Sequence, residues 1–278
     1  MIQKLISQAR KIVIKIGSNT LADRDGRINI PFLEDFAEQA ADLLHAGKQI
    51  ALVSSGAQVA GLSSLDKWAR KQDIHYKQAL CAVGQVELMG AWRRAFDACG
   101  VRVGQILLTR DDFGHPIRSL NMRNTLFTLA DEGIVPVINE NDTVSVEEIR
   151  IGDNDTLAAQ SAVLWGAELL ILFSDIDGLY DRNPKEHSDA KLLAEVRDIG
   201  AVRDEVNMGA PNNFGAGGIS TKIDAALRVV SFGIPMILAH GGRPRVLEAL
   251  AGGTQTGTLF LPPDLPGCPP KIPPGSGL

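Results

Sequence analysis

Short apolar runs alternate with longer segments of helical period along most of the chain. The runs are rich in Ile, Val and Leu, which is typical of strands buried on both faces of a parallel sheet. They predict strands at residues 11–16, 49–54, 101–108, 134–138, 168–173, 234–239 and 258–261. The segments between them predict helices at residues 32–46, 71–99, 119–132 and 219–232, with further helices opening at Ala57 and near Ala158. Gly84 and Gly90 are expected to break or kink the helix over residues 71–99.

Strands that alternate with helices in this way predict an α/β fold with a mainly parallel sheet covered on both faces. No repeat or internal linker divides the chain, so we expect one domain over residues 1–261. Residues 262–278 form a proline-rich tail without periodicity, which we expect to be extended or disordered. In a sheet of this kind, ligands bind beyond the carboxyl ends of the strands. Four small or polar residues fall at such ends: Gly17, Ser55, Asn139 and Asp175.

Composition and charge narrow the classes of function. Hydrophobic residues make up 45% of the chain. The 28 basic and 33 acidic residues give a net charge of −5. No basic block occurs, so we expect no nucleic-acid partner. Cys81, Cys99 and Cys268 are widely spaced, which argues against a disulfide framework or a zinc site and favours a cytoplasmic protein. No apolar run approaches membrane-spanning length, and charged residues interrupt the N-terminal segment, so we expect neither a membrane span nor an export signal.

Two acidic turns lie close together in the middle of the chain. Residues 139–143 read Asn-Glu-Asn-Asp-Thr directly after an apolar run, and residues 152–155 read Gly-Asp-Asn-Asp before a helix. A single turn of this kind is usually only a helix cap. Two in tandem, with fixed carboxylates beside free backbone N–H groups, favour one functional site.

A glycine-rich stretch over residues 214–222 ends in Lys222. Its glycines let the backbone approach a ligand closely, and the helix that follows begins with N–H groups that favour an anion. The stretch therefore predicts a phosphate site, although a surface loop with a solvated lysine remains the alternative. Lys15 ends a buried strand and must either meet an anion or extend its stem to reach water. Neither a P-loop nor a G-x-G-x-x-G motif is present.

Six segments of the sequence together resemble the glutamate 5-kinase family. They are residues 15–17, 54–57, 135–142, 152–155, 174–180 and 217–222, and the resemblance covers nearly all of residues 10–261. The family has the amino-acid-kinase fold, a three-layer αβα sandwich. It catalyses the first step of proline biosynthesis from glutamate and ATP.

The resemblance implies a role for each candidate residue. Lys15 and Lys222 would stabilise the transferring phosphoryl group, and Asp155 would orient the two lysines. Glutamate would be bound by Ser55, Asp142 and Asn154. The nucleotide would be bound by Lys15, Ser174, Asp175, Ala216, Gly217, Gly218, Ile219, Ser220, Thr221 and Lys222. Mg²⁺ would be held mainly by the phosphates of ATP and by water, so we expect no metal site made by the protein alone.

Two departures and two alternatives accompany this resemblance. Ala216 stands where a hydroxyl residue is expected in the phosphate turn, and no C-terminal PUA domain follows, as in shorter members. A different kinase of the superfamily, such as one acting on N-acetylglutamate, would keep the nucleotide half and change the acidic pocket. A non-catalytic, ligand-binding regulatory domain could keep the glutamate contacts, although the presence of both Lys15 and Lys222 speaks against it.

The resemblance also implies partners beyond glutamate and ATP. Proline would act as a feedback inhibitor through residues 111–124, competing for the glutamate pocket. A homo-oligomer, either a dimer or a tetramer, and contact with the next enzyme of the pathway are expected from the family as well.

Overall fold

The structure, a computed structural model, describes residues 1–65, 73–145, 154–182, 184, 186–208 and 218–262. The strands within these ranges are β1 Lys11–Ile16, β2 Gln49–Ser54, β3 Arg102–Leu108, β4 Ile134–Glu140, β5 Leu169–Ser174, β6 Glu195–Val196, β7 Met236–His240 and β8 Thr258–Phe260. The helices are α1 Ile2–Gln8, α2 Ser18–Leu21, α3 Ile30–His45, α4 Ala57–Leu65, α5 Ile74–Asp97, α6 Arg110–Gly114, α7 Pro116–Asp131, α8 Asn154–Trp165, α9 Ile199–Met208, α10 Gly218–Ser231 and α11 Val246–Gly252.

These strands form one sheet in the order β3-β4-β2-β1-β5-β7-β8-β6. Neighbours from β3 to β7 run parallel, whereas β8 runs antiparallel to β7. The register places Ile16 of β1 beside Ser54 of β2 and Phe173 of β5. The carboxyl ends of the three central strands are therefore level, and the residues that follow them share one edge of the sheet.

Alternate residues of the strands enter two separate cores, one on each face of the sheet. Ile14 of β1 packs in the core that contains Trp92 of α5, and Val13 packs in the core that contains Ala158 of α8. All four side chains are fully buried. Lys15 has the same parity as Val13, so its side chain leaves the strand on the face covered by α8 and α10. The result is the three-layer αβα sandwich that the resemblance implied.

The predicted break in the helix over residues 71–99 is wrong, because α5 runs uninterrupted from Ile74 to Asp97. A Cβ atom at Gly84 would lie 1.8 Å from the carbonyl oxygen of Ala57, and one at Gly61 would lie 2.0 Å from that of Leu80. These glycines allow α4 and α5 to pack with their backbones in contact, which outweighs their low helix propensity.

The other predicted elements agree with the structure within a few residues, and the predicted strands at 11–16 and 49–54 coincide with β1 and β2. The short elements α1, α2, α6, α11 and β6 and the helix α9 were not predicted. The predicted disordered tail lies almost entirely outside the described residues. Among the helices of the described ranges, none is long and apolar enough to cross a membrane.

Candidate active site

The carboxyl ends of β1, β2 and β5 surround a cavity of about 200 Å³. Its lining includes side chains from each of these ends together with a lysine from α10: Lys15, Asn19, Ser55, Ser174, Asp175 and Lys222. The first residues of α8 and α10 lie at the same edge of the sheet, so backbone N–H groups of two helix N-termini face this region. Of these residues, Lys15, Ser55, Ser174, Asp175 and Lys222 are candidates from the sequence, and the fold brings them to one cavity.

Asp155, in the first turn of α8, joins the two candidate lysines. Its Oδ1 lies 2.5 Å from Nζ of Lys15, and its Oδ2 lies 3.0 Å from Nζ of Lys222. The hydroxyl of Thr221 also donates to Oδ2 at 3.0 Å, and Lys222 Nζ donates to the carbonyl oxygen of Gly218 at 3.1 Å. One carboxylate therefore fixes two ammonium groups that come from different elements of the fold.

This group is almost completely removed from water. Asp155, Lys15 and Lys222 are 1%, 5% and 9% exposed. Burial alone would raise the pKa of the Asp155 carboxyl, but the charges and hydrogen bonds of the two lysines outweigh burial and hold that pKa below its ordinary value. Within this group of three side chains, two positive charges and one negative charge leave one ammonium charge that Asp155 does not balance, beside a cavity whose lining also includes Asp175.

A line of buried amides connects α5 to Ser55. The Nδ2 group of Asn154 donates to Ser55 Oγ at 2.8 Å and to Oδ1 of Asn139 at 2.9 Å. Asn139 in turn donates to Oε1 of Gln85 at 2.9 Å. Asn154 is 0% exposed, so it acts on a ligand chiefly by orienting Ser55. Gln85 was missed by the sequence analysis, because a single glutamine in a helix carries no recognisable motif.

Asp142, in the acidic turn over residues 139–143, has a different environment. It is 6% exposed, and among the described residues its Oδ1 has no hydrogen-bond partner. Burial, the largest influence, and the nearby Glu140 raise the pKa of Asp142 to about 7, while a hydrogen bond with the Cys81 thiol acts in the opposite direction. Cys81 and Gln85 lie one turn apart on α5, so one face of this helix supports both Asp142 and the amide line. Among the described residues, no cation therefore pairs with the carboxyl group of Asp142.

Asp175 lies directly after β5 and is fixed by two neighbours. Asn19 donates to its Oδ2 at 3.1 Å, and the Ser174 hydroxyl donates to its Oδ1 at 3.0 Å. Partial burial would raise the pKa of Asp175, but these hydrogen bonds and the charge of Lys222 lower it below the ordinary value. Asp175 is therefore an ionised acceptor at the rim of the cavity. Asn19 was not predicted, although it belongs to the turn after β1.

The remaining candidate residues divide into two groups. Gly218, Ile219 and Ser220 begin α10, and Ile219 is buried in the core, so only its backbone can face a ligand. Ala216 and Gly217 lie outside the described residues, as do Gly152 and Asp153 of the second acidic turn. In the part of the chain that the structure describes, no group of three His, Cys, Asp or Glu side chains could hold a metal ion.

Comparisons with known proteins agree with this geometry. A model of the amino acid kinase family matches residues 10–240. A glutamate 5-kinase from Alkaliphilus metalliredigens (strain QYMF) is 59% identical over 260 residues, which cover 94% of this chain and 98% of the relative. A glutamate 5-kinase from Alkaliphilus oremlandii (strain OhILAs) is 56% identical, with coverages of 94% and 99%. UMP kinase from Bacillus anthracis superposes with a TM-score of 0.61 at 18% identity, over 92% of this chain and 97% of that chain, and shows the fold alone. The chain belongs to the amino acid kinase family and, within it, to the glutamate 5-kinases.

Proposed function

We propose that this site transfers the γ-phosphoryl group of ATP to the side-chain carboxylate of L-glutamate. A carboxylate oxygen forms a bond to the γ-phosphorus, the bond from that phosphorus to the β–γ bridging oxygen breaks, and ADP leaves. The products are L-glutamyl 5-phosphate and ADP. The observation that carries the proposal is the buried contact of one carboxylate with two lysines at the carboxyl edge of a parallel sheet.

The chemistry requires positive charge more than proton transfer. The attacking carboxylate has a reference pKa of about 4.3, so it is already ionised near neutral pH and needs no general base. The transition state of phosphoryl transfer spreads negative charge over the phosphoryl oxygens, and positioning with electrostatic stabilisation supplies most of the catalysis. Lys15 and Lys222 provide two ammonium groups, and Asp155 and Thr221 fix where they lie.

The nucleotide is assigned to the edge formed by β5 and α10. Ser174 and Asp175 lie at the end of β5, and residues 216–222 lead into α10, whose N-terminal N–H groups favour phosphate. Mg²⁺, when bound with ATP, neutralises phosphate charge as the γ-phosphoryl group leaves. Because the described residues contain no cluster of metal ligands, we assign the ion mainly to phosphate oxygens and water.

Glutamate is assigned to Ser55, Asn154 and Asp142. Free glutamate carries an α-ammonium group, which is costly to remove from water without a partner. Asp142 offers a buried carboxyl group with no cation beside it in the described ranges, so the two groups are complementary. An N-acetylated substrate has no such charge and would leave Asp142 unpaired. This argument favours glutamate over N-acetylglutamate, and the presence of both lysines favours catalysis over a purely regulatory domain.

We also propose competitive inhibition by proline. Helices α6 and α7 contain the segment over residues 111–124, and the backbone N–H of Asn141 donates to the carbonyl oxygen of Leu108 at 2.7 Å. This bond joins the acidic turn to the strand that leads into the segment. Rates at low glutamate should fall in millimolar proline and recover when glutamate is raised. Assembly into a dimer or tetramer and contact with the next enzyme of the pathway are proposals that rest on the family alone.

Hydroxylamine trapping tests the proposed reaction directly. An acyl phosphate reacts with hydroxylamine to give a hydroxamate, so the protein with ATP, Mg²⁺ and glutamate should produce γ-glutamyl hydroxamate and ADP in equal amounts. The same assay with N-acetylglutamate and aspartate tests the substrate. ADP without hydroxamate, or equal hydroxamate from N-acetylglutamate, would contradict the proposal. Lys4→Ala, on the exposed face of α1, is the matched control for Lys15→Ala and Lys222→Ala.

A further inference from the structure

A second cavity, of about 210 Å³, lies between α6, α7, α8 and α10. It shares no lining residue with the phosphoryl-transfer cavity. Two arginines, two polar residues and apolar side chains line it: Arg110, Phe113, Ser119, Gln160, Leu164 and Arg228. None of its lining side chains is acidic. The proposed reaction assigns it no role.

The two arginines face this cavity without a counter-charge. Within the described ranges, neither Arg110 nor Arg228 forms an ion pair. The acids nearest to them along the helices are engaged elsewhere, since Asp112 pairs with Arg118 at 3.1 Å and Asp224 pairs with Arg203 at 3.1 Å. Asp111 follows Arg110 directly, but adjacent side chains on a helix diverge. Burial and the charge of Arg110 lower the pKa of Arg228, as expected for like charges held close together.

Two buried polar side chains add a second, independent observation. Gln160 and Ser119 line the cavity and are 8% and 6% exposed. In the part of the chain that the structure describes, neither side chain makes a hydrogen bond. Buried amides and hydroxyls normally have partners, because an unpaired one costs free energy. Phe113 and Leu164, both buried, give the cavity an apolar wall beside these groups.

We propose that this cavity binds a small organic anion, with a carboxylate or phosphate head and a short apolar body. The guanidinium groups match the head, Gln160 and Ser119 supply further hydrogen bonds, and Phe113 and Leu164 contact the body. Zwitterionic amino acids fit poorly, because their ammonium group would meet two arginines and no carboxylate.

Occupancy of the cavity is coupled to the phosphoryl-transfer site through α8 and α10. Asp155 and Gln160 lie on α8, and Lys222 and Arg228 lie on α10. Each pair is separated by less than two helical turns, roughly 8–9 Å along the axis. A ligand that holds Gln160 and Arg228 together therefore acts on the two helices whose N-terminal halves meet in the Asp155–Lys222 contact. This coupling rests on the proposed function, whereas binding in the cavity does not.

Calorimetric titration of the full chain with butyl phosphate and with pentanoate tests the binding site. Pentanamide is the neutral control for charge, and 5-aminopentanoate, which has the same five-carbon chain, is the zwitterionic control. We expect both anions to bind and the two controls to bind at least about tenfold more weakly. Arg228→Gln or Arg110→Gln should each lower the affinity for both anions about tenfold. The ratio of the affinities for the two anions shows whether the cavity prefers a carboxylate or a phosphate head. Arg102→Gln, an exposed arginine on β3, should leave binding unchanged.

Several results would overturn the assignment. Equal binding of pentanamide, equal or tighter binding of 5-aminopentanoate, or equal losses in Arg102→Gln and Arg228→Gln would each contradict a specific anion site at the two arginines. Lys222→Gln separates the two cavities, since it should abolish phosphoryl transfer and leave anion binding intact. Loss of anion binding in that variant would place the anion in the phosphoryl-transfer cavity. A bound anion that changes neither kcat nor the KM for ATP in the wild type would refute the coupling.

Discussion

Asp155 and Asp142 are two buried carboxyl groups at the same edge of the sheet, and their environments push their pKa values in opposite directions. Asp155 contacts two lysines, which hold its pKa below the ordinary value despite burial. Asp142 has no cation among its described neighbours, and burial with the nearby Glu140 raises its pKa to about 7.

The difference separates a carboxyl group whose charge is paired within the protein from one that has no cation among the described residues. The charge of Asp155 is paired within the protein by two lysines, and in the proposed function these lysines face phosphate. In the proposed function, the α-ammonium of glutamate supplies a cation to Asp142. The proposal thus assigns two acids that look alike in sequence to two different substrates.

Replacing the lysines should have the largest effect on activity. Lys15→Ala and Lys222→Ala should each lower kcat by roughly 10²–10³-fold, because loss of one preorganised contact to the transition state costs on the order of 3–4 kcal/mol. Steady-state kinetics with both substrates measure this, and KM values should change much less. Near-normal kcat in either variant, with Lys4→Ala as the matched control, would remove that lysine from the mechanism.

Asp142→Asn should affect glutamate and spare ATP. Removing the charge leaves the α-ammonium of bound glutamate without its partner, so the KM for glutamate should rise by roughly 10–100-fold. The KM for ATP should stay nearly unchanged, because Ser174, Asp175 and α10 bind the nucleotide in the proposal. An effect confined to ATP, or wild-type kcat/KM values that are alike for glutamate and N-acetylglutamate, would show that Asp142 is not in the glutamate pocket.

The pH dependence of the wild type should report the same carboxyl group. In the proposed function, glutamate binds the ionised form of Asp142, whose pKa burial raises to about 7. Its kcat/KM should therefore rise about tenfold between pH 6 and pH 8, since the ionised fraction rises by that factor. In Asp142→Asn the profile over this range should be flat. A wild-type profile that is flat as well would contradict the raised pKa.

Thermal stability should change least, and replacing the two acids by Asn should shift Tm in opposite directions. Because the folded-state pKa of Asp142 is raised, its contribution to stability is present below pH ~4 and is lost as the pH rises through about 7. Asp142→Asn should therefore raise Tm at pH 8, with a smaller gain at pH 5. In a chain of this size, each kcal/mol added to the free energy of unfolding raises Tm by roughly 2–4 °C.

Asp155→Asn is the matched comparison. The folded-state pKa of Asp155 is lowered, so its stabilisation is present at both pH 5 and pH 8 and is lost only as acid protonates it. The variant also leaves two buried lysines without a counter-charge, so Tm should fall at both pH values. Thermal unfolding followed by circular dichroism measures all four differences. A rise in Tm for Asp155→Asn would contradict the assigned ion pairs.

The sequence predicted the sheet and the edge that carries the site, because short runs rich in Ile, Val and Leu, such as residues 11–16, indicate strands buried on both faces of a parallel sheet. It also pointed to both acidic segments, since residues 139–143 follow a predicted strand and residues 152–155 precede a predicted helix. It could not predict how Gly84 and Gly61 bring α4 and α5 together, because close packing of two helices leaves no periodic signal. Gln85 could not be predicted either, because it belongs to no recognisable motif and lies 54 residues before its partner Asn139.

The opposite pKa values of Asp142 and Asp155 could not be predicted from sequence either. Each value depends on which charges the fold brings near the acid, and Lys15 and Lys222 lie far from Asp155 along the chain. Local sequence around both turns is equally acidic. Only the tertiary arrangement decides which carboxyl group receives the lysines.

Carbon-13 NMR of the aspartate carboxyl groups, assigned with Asp142→Asn and Asp155→Asn, tests this division between the two acids most directly. In the free protein, Asp142 should titrate near pH 7, and Asp155 should stay ionised throughout the range from pH 5 to pH 9. Saturating glutamate should lower the pKa of Asp142 by roughly 1–3 pH units, as expected when an ammonium group becomes its neighbour. A pKa near 4 for Asp142 in the free protein, or one that glutamate leaves unchanged, would contradict the account.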